Sequence, residues 1–102
     1  MKFKNKIYKL LQKLSIYNRE ENDINYYYTI ELMKTNLDVV LLDVRSEQEY
    51  SEYHLNGAIN IPLYELTVKA NEVLQNDKII IIYCQSGIRS KKAYKILKRS
   101  RI

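Results

Sequence analysis

The chain has 102 residues, 46% of them hydrophobic and 28% charged, with a formal net charge of +5, a size that suits one small domain. No apolar run approaches the about eighteen residues that mark a transmembrane helix, one cysteine excludes an internal disulfide, and no Cys/His cluster has zinc-finger spacing. The simplest reading is a reducing, cytoplasmic setting with no metal and no cofactor. The charge is segregated: residues 1–19 hold six basic side chains, residues 89–102 hold seven, and all twelve acids lie between. Such ends can meet nucleic acid or anionic lipid, but no specific nucleic-acid recognition motif accompanies them. Solvated helix faces are the simpler account.

In chain order, Phe3, Ile7, Leu10, Leu11, Leu14 and Tyr17 recur at helical spacing with lysines between them. That spacing predicts an amphipathic basic helix over 1–19, preceding a domain over 20–102. The segment lacks the continuous apolar stretch and small-residue cleavage site of a secretory leader. It is expected to dock on the domain's own core, with contact to a membrane surface as the second reading. "YYYTI" (26–30) reads as a short strand, with Thr29 as N-cap of a helix over "IELMKTN". "VVLLDV" (39–44) is the continuous apolar run of a strand buried on both faces. Ser46 and Glu49 form a capping box that opens a short helix through about Tyr53. "GAINIP" (57–62) is extended, "LYELTVKANEVL" (63–74) helical, "KIIIIYC" (78–84) a strand, and "RSKKAYKILKR" (89–99) a helix turning Ala93, Ile96 and Leu97 inward.

Strands alternating with helices imply an α/β fold with a parallel sheet and helices on both faces. Ligands in such sheets collect at the carboxyl ends of strands. Two places answer that rule: Asp43-Val44-Arg45, and Cys84 with the loop Gln85, Ser86, Gly87, Ile88, Arg89. An isolated cysteine is usually buried filler, but the pattern C-x-x-G-x-R at a strand-to-helix junction carries more. Gly87 permits backbone angles that turn successive N–H groups into one concavity. Those donors, the helix start and the Arg89 guanidinium favour an anion at the loop's centre, and a thiolate is such an anion.

Three segments, "LLDVRSEQEY" (41–50), "HLNGAINIPL" (54–63) and "IIIYCQSGIRSKKAYKIL" (80–97), resemble the rhodanese family of single-domain sulfurtransferases. The resemblance runs over about residues 26–97 and implies the three-layer rhodanese-like fold. It implies that Cys84 is a nucleophile taking a sulfane sulfur from thiosulfate or another persulfide donor. A thiophilic acceptor, a small thiol or a protein, then removes it. The amides of Gln85 to Arg89 would cradle the leaving group and persulfide, with Arg89 adding charge. Asp43 and Arg45 match the family's D-V-R and would support the site. Arg45 and Glu49 are expected to form an i,i+4 ion pair. His54 matches the family's structural histidine; as a metal ligand it would be alone, so no metal site is expected there.

The same fold hosts phosphatases and arsenate-reductase-like enzymes. The phosphatase loop is one residue longer than the four residues between Cys84 and Arg89, which disfavours phosphate. A non-catalytic, rhodanese-derived binding module is the other alternative, and the intact Cys84 loop argues against it. The resemblance also implies a further strand, following the last helix, inserted between the cysteine-bearing strand and the first. Here the sequence ends at "LKRSRI" without it, so a gap is expected beside Ile80 and Ile82. A truncated reading frame, completion by another chain, or a rearranged sheet in which "YYYTI" fills the gap would account for it.

Overall fold

The apolar run Ile79–Tyr83 forms a strand that pairs on both sides, the outcome its continuous hydrophobicity requires. The computed structural model describes residues 5–10, 22–36 and 38–100. Within them, β1 (Lys6–Leu10), β2 (Asp23–Ile24), β3 (Val39–Asp43), β4 (Ile59–Asn60) and β5 (Ile79–Tyr83) make one five-stranded sheet, ordered β2-β1-β5-β3-β4. Every pairing is parallel. The helices are α1 (Tyr26–Thr35), α2 (Glu47–Glu52), α3 (Leu63–Leu74) and α4 (Ile88–Ser100).

Two cores face each other across the sheet. On one side Ile7, Leu42, Val44, Ile80 and Ile82 meet Leu66, Ala70 and Val73 of α3 and Ala93 and Leu97 of α4. On the other, Leu10, Leu41, Ile81 and Tyr83 meet Leu32 and Met33 of α1 and Tyr50 of α2. Ile80, Ile81, Ile82, Leu42 and Leu97 are wholly buried. Full burial of such a side chain is worth about 1.5–3 kcal/mol, so this strand pair and its helices hold the domain.

Two sequence expectations are corrected. The helix expected over 1–19 is, at Lys6–Leu10, a strand paired with β5, Ile7 opposite Ile80 and Lys9 opposite Ile82. Ile7 serves one core, Tyr8 and Leu10 the other, which is possible only for an extended chain whose side chains alternate. Lys9 tolerates the interior because its ammonium lies 3.2 Å from the Asp23 carboxylate and over the Tyr94 ring. Residues 1–4 and 11–19 of that expected helix lie outside the described residues. The slot expected to stand empty beside Ile80 and Ile82 is thus taken by β1, not by "YYYTI".

That second segment is not a strand but the first turn of α1. Asn25, not Thr29, caps the helix, its side chain accepting from the Tyr28 amide at 2.9 Å. Thr29 is buried inside the helix, its hydroxyl donating to the Asn25 carbonyl at 3.0 Å. Elsewhere the expected elements stand where the pattern put them, with α3 running from Leu63 to Leu74.

Candidate functional site

β3 and β5 end side by side, and each delivers one half of the candidate site. The Asp43 amide-linked strand continues through Val44, whose N–H donates to the Tyr83 carbonyl at 3.2 Å. Cys84 therefore leaves the sheet next to Asp43-Val44-Arg45. Ser46 then stops the extended chain, accepting from the Glu49 amide at 3.1 Å while Glu49 accepts from the Ser46 amide at 3.0 Å. The capping box read from the sequence is present.

After Cys84 the chain turns through Gln85, Ser86 and Gly87, all exposed, into α4. Gly87 has φ +88 and a Cβ there would meet nothing within 4 Å, so the glycine serves backbone conformation and not space. The turn brings the Gly87 and Ser90 amides to the Cys84 sulfur, at 3.0 and 3.2 Å. Both donors belong to the start of α4, where N–H groups lack helical partners. The Ser90 hydroxyl donates to the Gly87 carbonyl at 3.0 Å and holds the turn closed. The sulfur is buried, with Cys84 only 1% exposed, and rests in a cradle suited to negative charge. Replacing Gly87 with alanine is expected to cost about 1–2 kcal/mol of stability through the positive φ alone. Urea unfolding measures it, and a cost near zero would mean the turn has no such requirement.

Arg89 lies at this loop but does not hold its charge free. Its guanidinium grips the Glu49 carboxylate with both arms, the Nη2–Oε2 contact measuring 2.9 Å. Arg45 turns the other way, onto Asp43, with contacts of 3.0 Å from Nε and 2.7 Å from Nη2. The expected Arg45–Glu49 pair is thus replaced by two crossed pairs. The reason is geometric: the capping box points Glu49 back at Ser46 and across to α4. Asp43, wholly buried, meanwhile needs a cation of its own.

Asp43 is the hub of this end of the sheet. Its carboxylate accepts from the Arg45 amide at 2.9 Å, from the Arg45 guanidinium and from the Tyr83 hydroxyl at 2.8 Å. Burial, and after it the Asp43 carboxylate, push the Tyr83 hydroxyl up to about 12, so it keeps its proton and donates. The same oxygen accepts from the Leu55 amide at 3.1 Å. Asn60 completes the join, donating to the Asp43 and Arg45 carbonyls at 3.0 Å each. Tyr83 and Asn60 were not singled out in the sequence. The available signal for Tyr83 was a phenol in an otherwise aliphatic buried strand, since such a hydroxyl needs a partner. His54 stacks on the Tyr50 ring at 3.7 Å between centroids, its Nδ1 2.7 Å from the Tyr50 carbonyl. Among the described residues no group of His, Cys, Asp and Glu is placed to hold a metal.

The Arg89 hydrogen bond, and after it the Ser46 amide, hold Glu49 down at about 2. A depressed carboxylate stabilises the fold above its ordinary value, 4.5, and that contribution disappears as pH falls toward 2. Thermal melts of the protein are therefore expected to decline over that window. The Glu49→Gln variant should lose much of the decline while starting from a lower melting temperature. Parallel acid limbs in the two proteins would refute the assignment. Beside the loop lies a cavity of about 370 Å³ lined by Arg45, Glu49, Tyr53, Leu55, Tyr83 and Gln85.

The site's strand–loop–helix frame has counterparts. A family model described as a rhodanese-like domain matches residues 28–101. The putative sulfur carrier protein YrkF of Bacillus subtilis (strain 168) is 40% identical over 75 residues, 70% of this chain and 40% of that protein. A probable molybdopterin-synthase adenylyltransferase of Gracilaria tenuistipitata var. liui is 38% identical over 77 residues, 72% of this chain and 22% of that protein. The chain thus spans less than half the length of these relatives. The structure of a human single-domain sulfurtransferase, TSTD1, overlays with a TM-score of 0.65 at 22% identity, covering 76% of this chain and 80% of that one, a likeness of fold. Among the described residues no helix is long and apolar enough to cross a membrane.

Proposed function

This chain belongs to the rhodanese-like family, and from that premise we propose that it transfers sulfane sulfur through a persulfide on Cys84. The Cys84 thiolate attacks the outer sulfur of thiosulfate or a persulfide donor. The donor's S–S bond breaks, and sulfite or a thiolate departs with the electron pair. An acceptor thiolate then attacks the outer sulfur of the Cys84 persulfide. The bond to Sγ breaks, its electron pair returns to Cys84, and the acceptor leaves as a persulfide. The cycle balances without a metal or cofactor and needs a free thiol, which suits a reducing, cytoplasmic compartment.

The observation that carries this reading is the pair of amides from Gly87 and Ser90 on the Cys84 sulfur. They stabilise the thiolate as nucleophile and as leaving group in the second half-reaction. On this reading the amides from Gln85 to Arg89 receive the anionic leaving group. Arg89, clamped by Glu49, acts as a brace that orients the loop, and Asp43 and Arg45 fix the strand end beneath it. Both roles are positioning ones.

Intact-mass analysis after thiosulfate treatment tests the proposal. The wild-type protein is expected to gain the mass of one sulfur atom, removable by a thiol, and Cys84→Ser to gain none. An adduct on both proteins would overturn the assignment. A folded wild type that takes no sulfur would favour the binding-module reading. Phosphate-ester hydrolysis lost in Cys84→Ser would favour the phosphatase one.

A further inference from the structure

A stripe of positive charge begins at the cysteine loop and runs the length of α4. At 3.6 residues per turn, Ile88, Lys92, Lys95 and Arg99 fall within about 60° of each other around the helix axis, over about 16 Å. All four are exposed, Ile88 by 63%, and the opposite side buries Ser90, Ala93 and Leu97. Among the described residues, none of the three cations forms an ion pair, whereas Lys9, Arg45, Lys69 and Arg89 each meet a carboxylate. The acids sit elsewhere, Glu47 and Glu52 on α2 and Glu65 and Glu72 on α3. Among the described residues α4 carries no acid, and this unpaired row starts beside the cysteine loop.

Access makes this row relevant to chemistry. Cys84 is 1% exposed and is followed by the exposed residues Gln85, Ser86, Gly87 and Ile88, so a partner that crosses this loop toward the sulfur meets the head of the stripe. Ile88 supplies an apolar contact at that point and the lysines a charged margin beside it, the core-and-rim arrangement of a protein interface. A row of like charge also speeds and orients encounter with a surface of opposite sign. Nucleic acid fits less well. The stripe carries no aromatic ring for base stacking. Resting on the sulfur-transfer reading above, we infer that the Ile88–Arg99 stripe docks an acidic protein surface that bears the acceptor thiol for the Cys84 persulfide.

The test compares three acceptors of sulfur from thiosulfate-loaded protein: a cysteinyl peptide followed by five glutamates, its lysine counterpart, and 2-mercaptoethanol. The acidic peptide is expected to show a kcat/KM at least tenfold above the basic one at low ionic strength. The gap should close as salt shortens the screening length below about 10 Å. The variant K92E/K95E/R99E should reverse the ranking, and the milder K92Q/K95Q should erase most of it, with 2-mercaptoethanol turnover unchanged in both. Equal rates for the two peptides on wild type, or a ranking that survives the triple variant, would overturn the docking inference. So would an RNA mobility shift lost in the triple variant without any peptide preference. A wild type that fails to load, or to pass sulfur to 2-mercaptoethanol, would instead overturn the sulfur-transfer reading, leaving the two failures distinct.

Discussion

Replacing Asp43 with alanine is expected to lower the unfolding free energy by about 3–5 kcal/mol, the cost of leaving a buried charge and its donors without a partner. The carboxylate is wholly buried and serves the Arg45 amide, the Arg45 guanidinium and the Tyr83 hydroxyl together. Its removal leaves the Arg45 guanidinium, its side chain 12% exposed, with the Tyr53 carbonyl but no carboxylate, and the buried Tyr83 hydroxyl with no acceptor for its proton. Small domains hold about 5–15 kcal/mol in all, so the variant should lose a large share of its stability. Asp43→Asn keeps the volume and one acceptor and should lose roughly half as much. Chemical denaturation measures both. A loss below about 1 kcal/mol for Asp43→Ala, the worth of one ordinary hydrogen bond, would mean the hub is dispensable. Tyr83 immediately precedes Cys84, so on the proposed sulfur-transfer function uptake of sulfur by the folded fraction should also slow.

Deleting residues 1–10 is expected to abolish the cooperative thermal transition. β1 lies between β2 and β5, so its loss strips one side of β5 of its hydrogen-bond partners and uncovers Ile80 and Ile82. A central strand left open in this way is a template for aggregation. The point variant Lys6→Glu, at an exposed position of the same strand, should melt close to wild type and separates strand loss from charge. Circular dichroism followed through heating checks both. A deletion variant with an intact, reversible melt would restore the docked-helix picture of this segment.

The middle and end of the chain were legible because local rules and tertiary context agree there. Val39–Asp43 and Ile79–Tyr83 are continuous apolar runs, and central parallel strands require that pattern. Ser46 and Glu49 cap α2 through contacts three residues apart, so nothing distant had to be known. The Cys84 loop was equally local, with its glycine, helix start and sulfur within seven residues. The beginning was not legible. Lysines at 4, 6 and 9 break up the apolar run, and Ile7, Leu10 and Leu11 fit a helix's period over so short a window. What makes Lys9 acceptable inside a sheet is Asp23 and the Tyr94 ring, and no local pattern announces either. Three tyrosines in a row suggested a strand by propensity, but they are exposed on α1 while Asn25 sets the helix start. The crossed pairing of Arg45 with Asp43 and Glu49 with Arg89 spans 40 residues in its second half. Such a partner is visible only once β3 and β5 are side by side.

The place of β1 has a kinetic side. Its neighbour β5 comes late in the chain: the Asn5 side chain reaches the Lys78 carbonyl across 73 residues of sequence. At typical synthesis rates of about 5–20 residues per second, an emerging first strand waits roughly 4–15 s for its partner. Contacts of such separation must first meet the loop-closure entropy, and parallel pairing of distant strands is the slow kind. The cysteine-bearing strand therefore acquires its second flank among the last events of folding. Its isoleucines stay exposed to chaperones, or to other chains, until β1 and β5 meet.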